Sequence, residues 1–233
     1  MLLIPGFMLD ADLWRDVEPA LAQWGPIAHA VATEGDTLAE MADHILKDAP
    51  QTFVLVGFSM GGYVAREILR QAPERVEALI LIATSARGDS DVQAKRKQAL
   101  ANQPDGISFR GLSTAAVASS LHPVNAGRTD LVTRIQDMGH RLGGAVFRRQ
   151  SLLDRHDARH ELGAINCPTL IIAGDEDRLR SREEAQELHE GIVNSAFAVI
   201  EKTGHMVPLE APEALAAVMN EWLHGQGNAV DHA

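Results

Sequence analysis

The sequence predicts an α/β fold: a compact, mostly parallel sheet of about six strands with helices on both faces. Two observations carry that expectation. Short, continuous apolar runs recur along the 233-residue chain, as they do in strands that are covered on both faces. Between them lie stretches whose apolar residues recur at helical spacing, and strands alternating with helices build βαβ units. A third observation is an interruption. From residue 85 to residue 160 the rhythm stops, and that predicts a helical insertion into the sheet.

The apolar runs fall at 1–4, 26–31, 52–57, 77–83, 168–173 and 196–201. The run at 26–31 is the weakest. Thr37-Leu-Ala-Glu40 is a capping-box signature, and Leu38, Met41 and Ile45 share one face of the helix it opens. A helix is expected from Met60 to Arg70. Ser181-Arg-Glu-Glu184 opens another, with Ala185 and Leu188 inward. The last, Pro212 to Leu223, carries Leu215, Val218, Met219 and Trp222 as its apolar stripe. Within the interruption, helices are expected near 89–102, 108–120, 128–140 and 144–154. A long insertion between two sheet strands commonly covers a site. The domain reading is therefore a core of 1–84 and 161–225, a helical cap of 85–160, and a disordered tail of 226–233.

Composition narrows the function classes. Net charge is −11 at pH 7, which disfavours nucleic acid and anionic membrane as partners. No run of apolar residues is long enough for a spanning helix. Met1-Leu-Leu-Ile-Pro5 lacks a basic region and a cleavage-like site, so it reads as a first strand and not as a signal peptide. One cysteine, Cys167, excludes an internal disulfide and fits a reducing cytoplasm. The expected partner is a small-molecule substrate. Trp14, Trp24 and Trp222 fit core or interface, so a monomer and a small homo-oligomer both remain open.

The stretch that carries chemistry is Gly57-Phe58-Ser59-Met60-Gly61. It follows an apolar run and precedes a helical pattern, the strand–turn–helix setting that presents a serine as a nucleophile. The flanking glycines suit a tight turn with no room for side chains, and Gly62 suits close packing of the helix on the sheet. A serine hydroxyl needs a base to accept its proton. Of the ten histidines, His205 stands out. It lies in Lys202-Thr-Gly-His-Met-Val-Pro208, just past the last strand, and catalytic groups of open α/β sheets gather beyond the carboxyl ends of strands. Gly204 is expected to give that loop freedom to aim the imidazole. The base needs an orienting acid. Asp175, Glu176 and Asp177 follow the fifth strand. Asp177 lies beyond the turn and is the preferred acid. Asp175 is expected to brace the turn and stands as the alternative.

A developing oxyanion needs donors. Met60 supplies one backbone N–H at a helix start, and Phe7, in the loop after the first strand, supplies the second. Phe7, Met8, Phe58 and Met60 would leave an apolar wall beside an acyl or alkyl group, and Met206 is added as a substrate contact. Arg149 and Gln150, with Arg148, are candidates for a polar substrate tail; a solvated helix face is the alternative for them, as for His140 and Arg141. No metal or organic cofactor is expected. His156 and His160 stand four apart, but the glutamate of a zinc-binding His-Glu-x-x-His pattern is missing.

Leu2-Leu-Ile-Pro-Gly6, Gly57-Phe-Ser-Met-Gly-Gly62, Gly174-Asp-Glu-Asp177 and Gly204-His205, in that order, resemble the α/β-hydrolase superfamily over nearly the whole chain. The resemblance implies Ser59 as nucleophile, Asp177 as acid, His205 as base, and the Phe7 and Met60 amides as the oxyanion hole. The cap is similar to that of small carboxylesterases and enol-lactonases. Two features depart from the pattern. Pro5 stands where family members often carry histidine. The chain also begins at what looks like the family's third strand, hence the six-stranded expectation. The implied activity is hydrolysis of a small carboxylic ester, lactone or thioester through an acyl-enzyme. A lyase, C–C hydrolase or perhydrolase using the same residues is the alternative, menaquinone-synthesis-like elimination included. A non-enzymatic ligand-binding protein on this scaffold is the third class. An acid-bearing substrate would call on cap arginines.

Overall fold

The computed structural model of the protein describes residues 1–101, 109 and 111–230. Strand β1 (Leu2–Ile4) is followed by a short helix α1 (Glu18–Leu21) and strand β2 (Ala28–His29). Next come α2 (Leu38–Asp48), β3 (Phe53–Phe58), α3 (Met60–Gln71) and β4 (Val76–Ile82). Three helices intervene, α4 (Asp91–Ala101), α5 (Thr114–Ser120) and α6 (Thr129–Leu152). The chain then returns through β5 (Thr169–Gly174), α7 (Arg182–Gly191), β6 (Ser195–Ile200), α8 (Val207–Glu210) and α9 (Pro212–Val230).

The six strands form one sheet in the order β2-β1-β3-β4-β5-β6, and every pairing is parallel. They fall on the six apolar runs. The weak run yields only the two-residue edge strand β2, whose Ala28 is half-buried and whose His29 is exposed. An edge strand with so little to bury leaves little pattern to read. Side chains alternate between the faces along each strand. Ile80 and Ile82 of β4 join Val56, Phe58 and Ile172 in one core cluster. Leu79 and Leu81 join Leu55, Ile171 and Ala173 in the other. Helices α1 and α9 close the first face, and α2, α3 and α7 the second. Full burial of each such side chain contributes about 1.5–3 kcal/mol.

Local signals agree with these elements. Thr37 and Glu40 form the expected capping box at α2, and Ser181 and Glu184 form one at α7. The helices expected at 128–140 and 144–154 are the two halves of α6, broken at Gly143, whose φ is 76°. Of the helix expected over 108–120, α5 covers Thr114–Ser120, while residues 108 and 110 lie outside the described residues. Helix α9 continues to Val230, through the start of the expected tail; residues 231–233 lie outside the described residues. Among the described residues no helix is long and apolar enough to cross a membrane. Trp14 is fully buried in the first core cluster.

Candidate active site

Because every strand runs the same way, the loops after β1, β3, β5 and β6 emerge at one end of the sheet. Those loops hold Phe7, Ser59, Asp177 and His205. Ser59 links β3 to α3 with φ 51° and ψ −114°, a left-handed backbone that non-glycine residues rarely adopt. Neighbouring groups hold it there. Its N–H donates to the Ile82 carbonyl at 2.9 Å, and its carbonyl accepts the Thr84 hydroxyl at 2.7 Å. The turn has no room for side chains on either flank. A Cβ on Gly57 would lie 2.6 Å from the Gly61 carbonyl oxygen, and one on Gly61 would collide with the Ile4 and Pro5 carbonyls.

Ser59 Oγ lies 2.8 Å from His205 Nε2, and His205 Nδ1 lies 2.8 Å from Asp177 Oδ2. The other Asp177 oxygen accepts the Leu179 N–H at 2.8 Å and the Arg180 N–H at 2.9 Å. Asp177 is therefore an acceptor at both oxygens, so Nδ1 of His205 carries the hydrogen and Nε2 is left to accept from Ser59. His205 and Asp177 are buried, whereas Ser59 is partly accessible. The Phe58 ring packs 5.2 Å from the imidazole.

Asp175 does different work. Its carboxylate accepts the Lys202 N–H at 2.9 Å and the Thr203 N–H at 3.0 Å. It braces the turn at Lys202, whose φ is 57°. Burial on its own would raise its pKa, but those two amides, together with nearby His122 and the Glu176 amide, hold the Asp175 carboxyl below the usual carboxylate range. The role expected for Gly204 needs correcting. Its φ is not in the left-handed region, so the loop draws no conformational freedom from it. It is needed for close approach, since a Cβ there would sit 2.5 Å from the His122 nitrogen.

The Phe7 loop abuts the serine. A Cβ on Gly6 would lie 3.2 Å from the Ser59 Cβ and 3.0 Å from the Phe58 ring. Among the described residues neither the Phe7 N–H nor the Met60 N–H has a hydrogen-bond partner. Met60 is the first residue of α3, where helix geometry leaves amides unpaired. Two free donors beside a serine suit an anionic oxygen.

A cavity of about 750 Å³ opens over Ser59 and His205. Of the expected substrate contacts, Phe58, Met206 and Gln150 line it. Met8 does not; it is fully buried, with a backbone φ of 56°. Arg149 does not reach the cavity either, because its guanidinium is taken by Asp36 and the Thr33 carbonyl. Arg148 donates to the Leu100 carbonyl and Arg141 pairs with Asp10. Gln150 lines the wall with its polar ends already engaged, by the Met8 N–H and the Ala32 carbonyl at 2.8 Å each. Phe147 of α6 meets Phe7 edge-on at 5.7 Å, docking the insertion onto the loop.

Two features of the site have no local sequence signal. Glu210 Oε1 accepts the amides on both sides of His205, Gly204 at 2.9 Å and Met206 at 3.2 Å. Its other oxygen holds the His122 amide and the Asn125 side chain. Arg155, Arg180, Arg96 and Lys97 also line the cavity. Among the described residues no three His, Cys, Asp or Glu side chains are grouped to hold a metal ion.

The fold and this arrangement define the alpha/beta hydrolases, and the chain belongs to the alpha/beta hydrolase family, whose model matches residues 1–218. Relatives are similar over nearly their whole length. A pimeloyl-[acyl-carrier protein] methyl ester esterase of Neisseria meningitidis serogroup B is 26% identical, across 96% of this chain and 92% of its own. The protein of that name from Pectobacterium carotovorum is 27% identical, across 92% and 90%. A thermophilic esterase from Thermogutta terrifontis superposes with a TM-score of 0.80 at 27% identity, covering 96% of this chain and 89% of the esterase.

Proposed function

We propose that the protein is a serine-dependent carboxylic ester hydrolase in which Ser59, His205 and Asp177 act as a catalytic triad. The observation that carries this reading is the pair of 2.8 Å contacts running from Ser59 through His205 to Asp177, beside two unpaired amides. Esterase relatives of matching length support the reaction class.

Ser59 Oγ attacks the ester carbonyl as His205 Nε2 takes the hydroxyl proton. The carbonyl oxygen becomes an oxyanion and accepts from the Phe7 and Met60 N–H groups. Each such donor contributes about 2.7–4 kcal/mol to the transition state. Asp177 fixes the imidazole and stabilises the imidazolium. His205 then protonates the departing alcohol, leaving the acyl group on Ser59. Water attacks that acyl group with His205 again as base, and the acid leaves as Ser59 recovers its proton. Lactones and thioesters meet the same groups.

Residues 85–160 are read as a cap over the core of 1–84 and 161–225. The substrate is a small molecule, and the single cysteine suits a reducing, cytoplasmic setting. The test is initial rates of wild type and Ser59→Ala on p-nitrophenyl esters from acetate to decanoate. Serine-dependent multiple turnover, peaking at one acyl length, supports the proposal. Turnover that survives Ser59→Ala, or none on any ester, overturns it.

A further inference from the structure

Part of the cavity lining is apolar: Leu9, Val117, Ile135 and Met206 belong to the first core cluster. Another part, the cationic lobe, is charged. Arg96, Lys97, Arg155 and Arg180 line it, and among the described residues no aspartate or glutamate lines the cavity. That is unexpected in a chain of net charge −11. Ser59 and His205 line the same cavity.

Three guanidinium groups, from Arg66, Arg155 and Arg180, crowd the ring of Tyr63 at 5.1, 5.4 and 5.6 Å. Their carboxylate partners are few and loosely held. Arg155 reaches Asp89 at 3.5 Å, and Arg180 reaches Glu184 at 3.5 Å. Lys97 also draws on Asp89. Arg66 donates to the Ser85 carbonyl and not to an acid. Three cations, Lys97, Arg155 and Arg180, thus share two carboxylates, Asp89 and Glu184. The side chains of Arg155 and Arg180 are only 13% and 16% exposed, so water screens them poorly. A guanidinium carries more N–H donors than one such contact uses, and the Arg155 Nε has no hydrogen-bond partner among the described residues. Burial, and then the neighbouring Arg180, pull the Arg155 pKa below its ordinary value. An anion entering the lobe would relieve that excess of positive charge.

We infer that this lobe binds an anionic group of the substrate, and that the protein takes esters whose far end carries a carboxylate. The apolar part of the lining is left for the rest of the molecule. The inference rests on the ester-hydrolase reading, but its test separates the two. The arginines sit in three sequence regions, and those flagged by sequence, Arg148 and Arg149, are used elsewhere.

The test compares monoethyl adipate with ethyl heptanoate, a neutral ester of similar length, in wild type, Arg155→Gln and Arg180→Gln. In parallel, adipate is titrated calorimetrically into Ser59→Ala and into Ser59→Ala combined with Arg180→Gln. Charge-assisted hydrogen bonds set the scale at about tenfold. Wild type should favour the acid ester in kcat/KM by about tenfold, through KM. Each arginine variant should lose that preference, and adipate should bind about tenfold more weakly without Arg180. Equal losses on both esters with adipate affinity unchanged would overturn the inference. If wild type turned over no ester, the hydrolase reading would fail while the adipate titration still decided the lobe. If Arg155→Gln failed to fold, Arg180→Gln would decide alone.

Discussion

The side-chain carbonyl of Gln150 accepts the N–H of Met8 at 2.8 Å, one residue beyond the unpaired Phe7 amide. Its own amide donates to the Ala32 carbonyl at 2.8 Å, so one buried side chain pins the Phe7 loop to α6 and to the segment after β2. Met8 needs that hold, since its backbone sits at φ 56°. We read Gln150 as a positioning residue. Gln150→Leu keeps the volume and strands two buried backbone groups, at about 1–3 kcal/mol each. It should lower the melting temperature and cut kcat by about ten- to a hundredfold, with KM changing less. Gln150→Glu restores the acceptor for Met8 and should recover part of kcat. A leucine variant with full kcat would show that the loop is held without Gln150.

Glu210 does for His205 what Gln150 does for Phe7. One oxygen fixes the amides at 204 and 206, and the other fixes His122 and Asn125. Glu210→Gln offers an NH2 where one of those donor pairs needs an oxygen. Two donors would then face a donor. Steady-state kinetics should give kcat down about tenfold, and calorimetry a lower melting temperature. Glu210→Ala should do more damage to both. Unchanged kcat in the glutamine variant would mean that Ser120, whose carbonyl accepts the His205 N–H at 2.8 Å, suffices to hold the loop.

These two residues mark where reading the sequence stops. Ser59 was legible because strand, glycines and helix are contiguous around it. Asp177 and His205 were legible from chain order and from their place just past apolar runs. Strands β3 to β6 were legible because both faces of each are covered, which leaves unbroken apolar runs. Gln150 meets Met8 across 142 positions, and no local pattern encodes such a contact. The cations that line the cavity come from α4, the segment after α6 and the loop after β5, and only those of the last two regions reach the tyrosine on α3. Arg148 and Arg149 were conspicuous as a pair, yet consecutive residues on a helix point in different directions, and both are tied to backbone carbonyls.

The two aspartates after β5 should separate in assays. In Asp177→Asn, the Leu179 and Arg180 amides still demand an oxygen, so the new NH2 turns to His205. Nδ1 must then accept, Nε2 carries the hydrogen, and it can no longer accept from Ser59. About a 10⁴-fold loss of kcat is expected. Asp175→Asn should leave most of kcat and cost stability instead. The Asp175 pKa is lower folded than its ordinary 3.8. Its contribution is therefore present above the unfolded pKa and is lost as pH falls through the folded one. Melting temperatures of wild type and Asp175→Asn should differ at neutral pH and converge below the usual carboxylate range. The opposite ranking in kcat would move the proposed acid role from Asp177 to Asp175.

Ser59 combines the chemical role we propose for it with backbone strain, and two substitutions separate them. Ser59→Ala removes the hydroxyl and keeps the Cβ, so turnover should vanish while the melting temperature stays near wild type. Ser59→Gly removes the hydroxyl and the Cβ that opposes φ 51°. Relief of a strained non-glycine backbone is worth about 1–3 kcal/mol. Added freedom of the unfolded chain offsets about 0.5–1 kcal/mol of that. The glycine variant should therefore be inactive and more stable than Ser59→Ala by about 1 kcal/mol in urea titration. A glycine variant no more stable than the alanine one would mean that the Ile82 and Thr84 hydrogen bonds, rather than the side chain, set the energy of this turn.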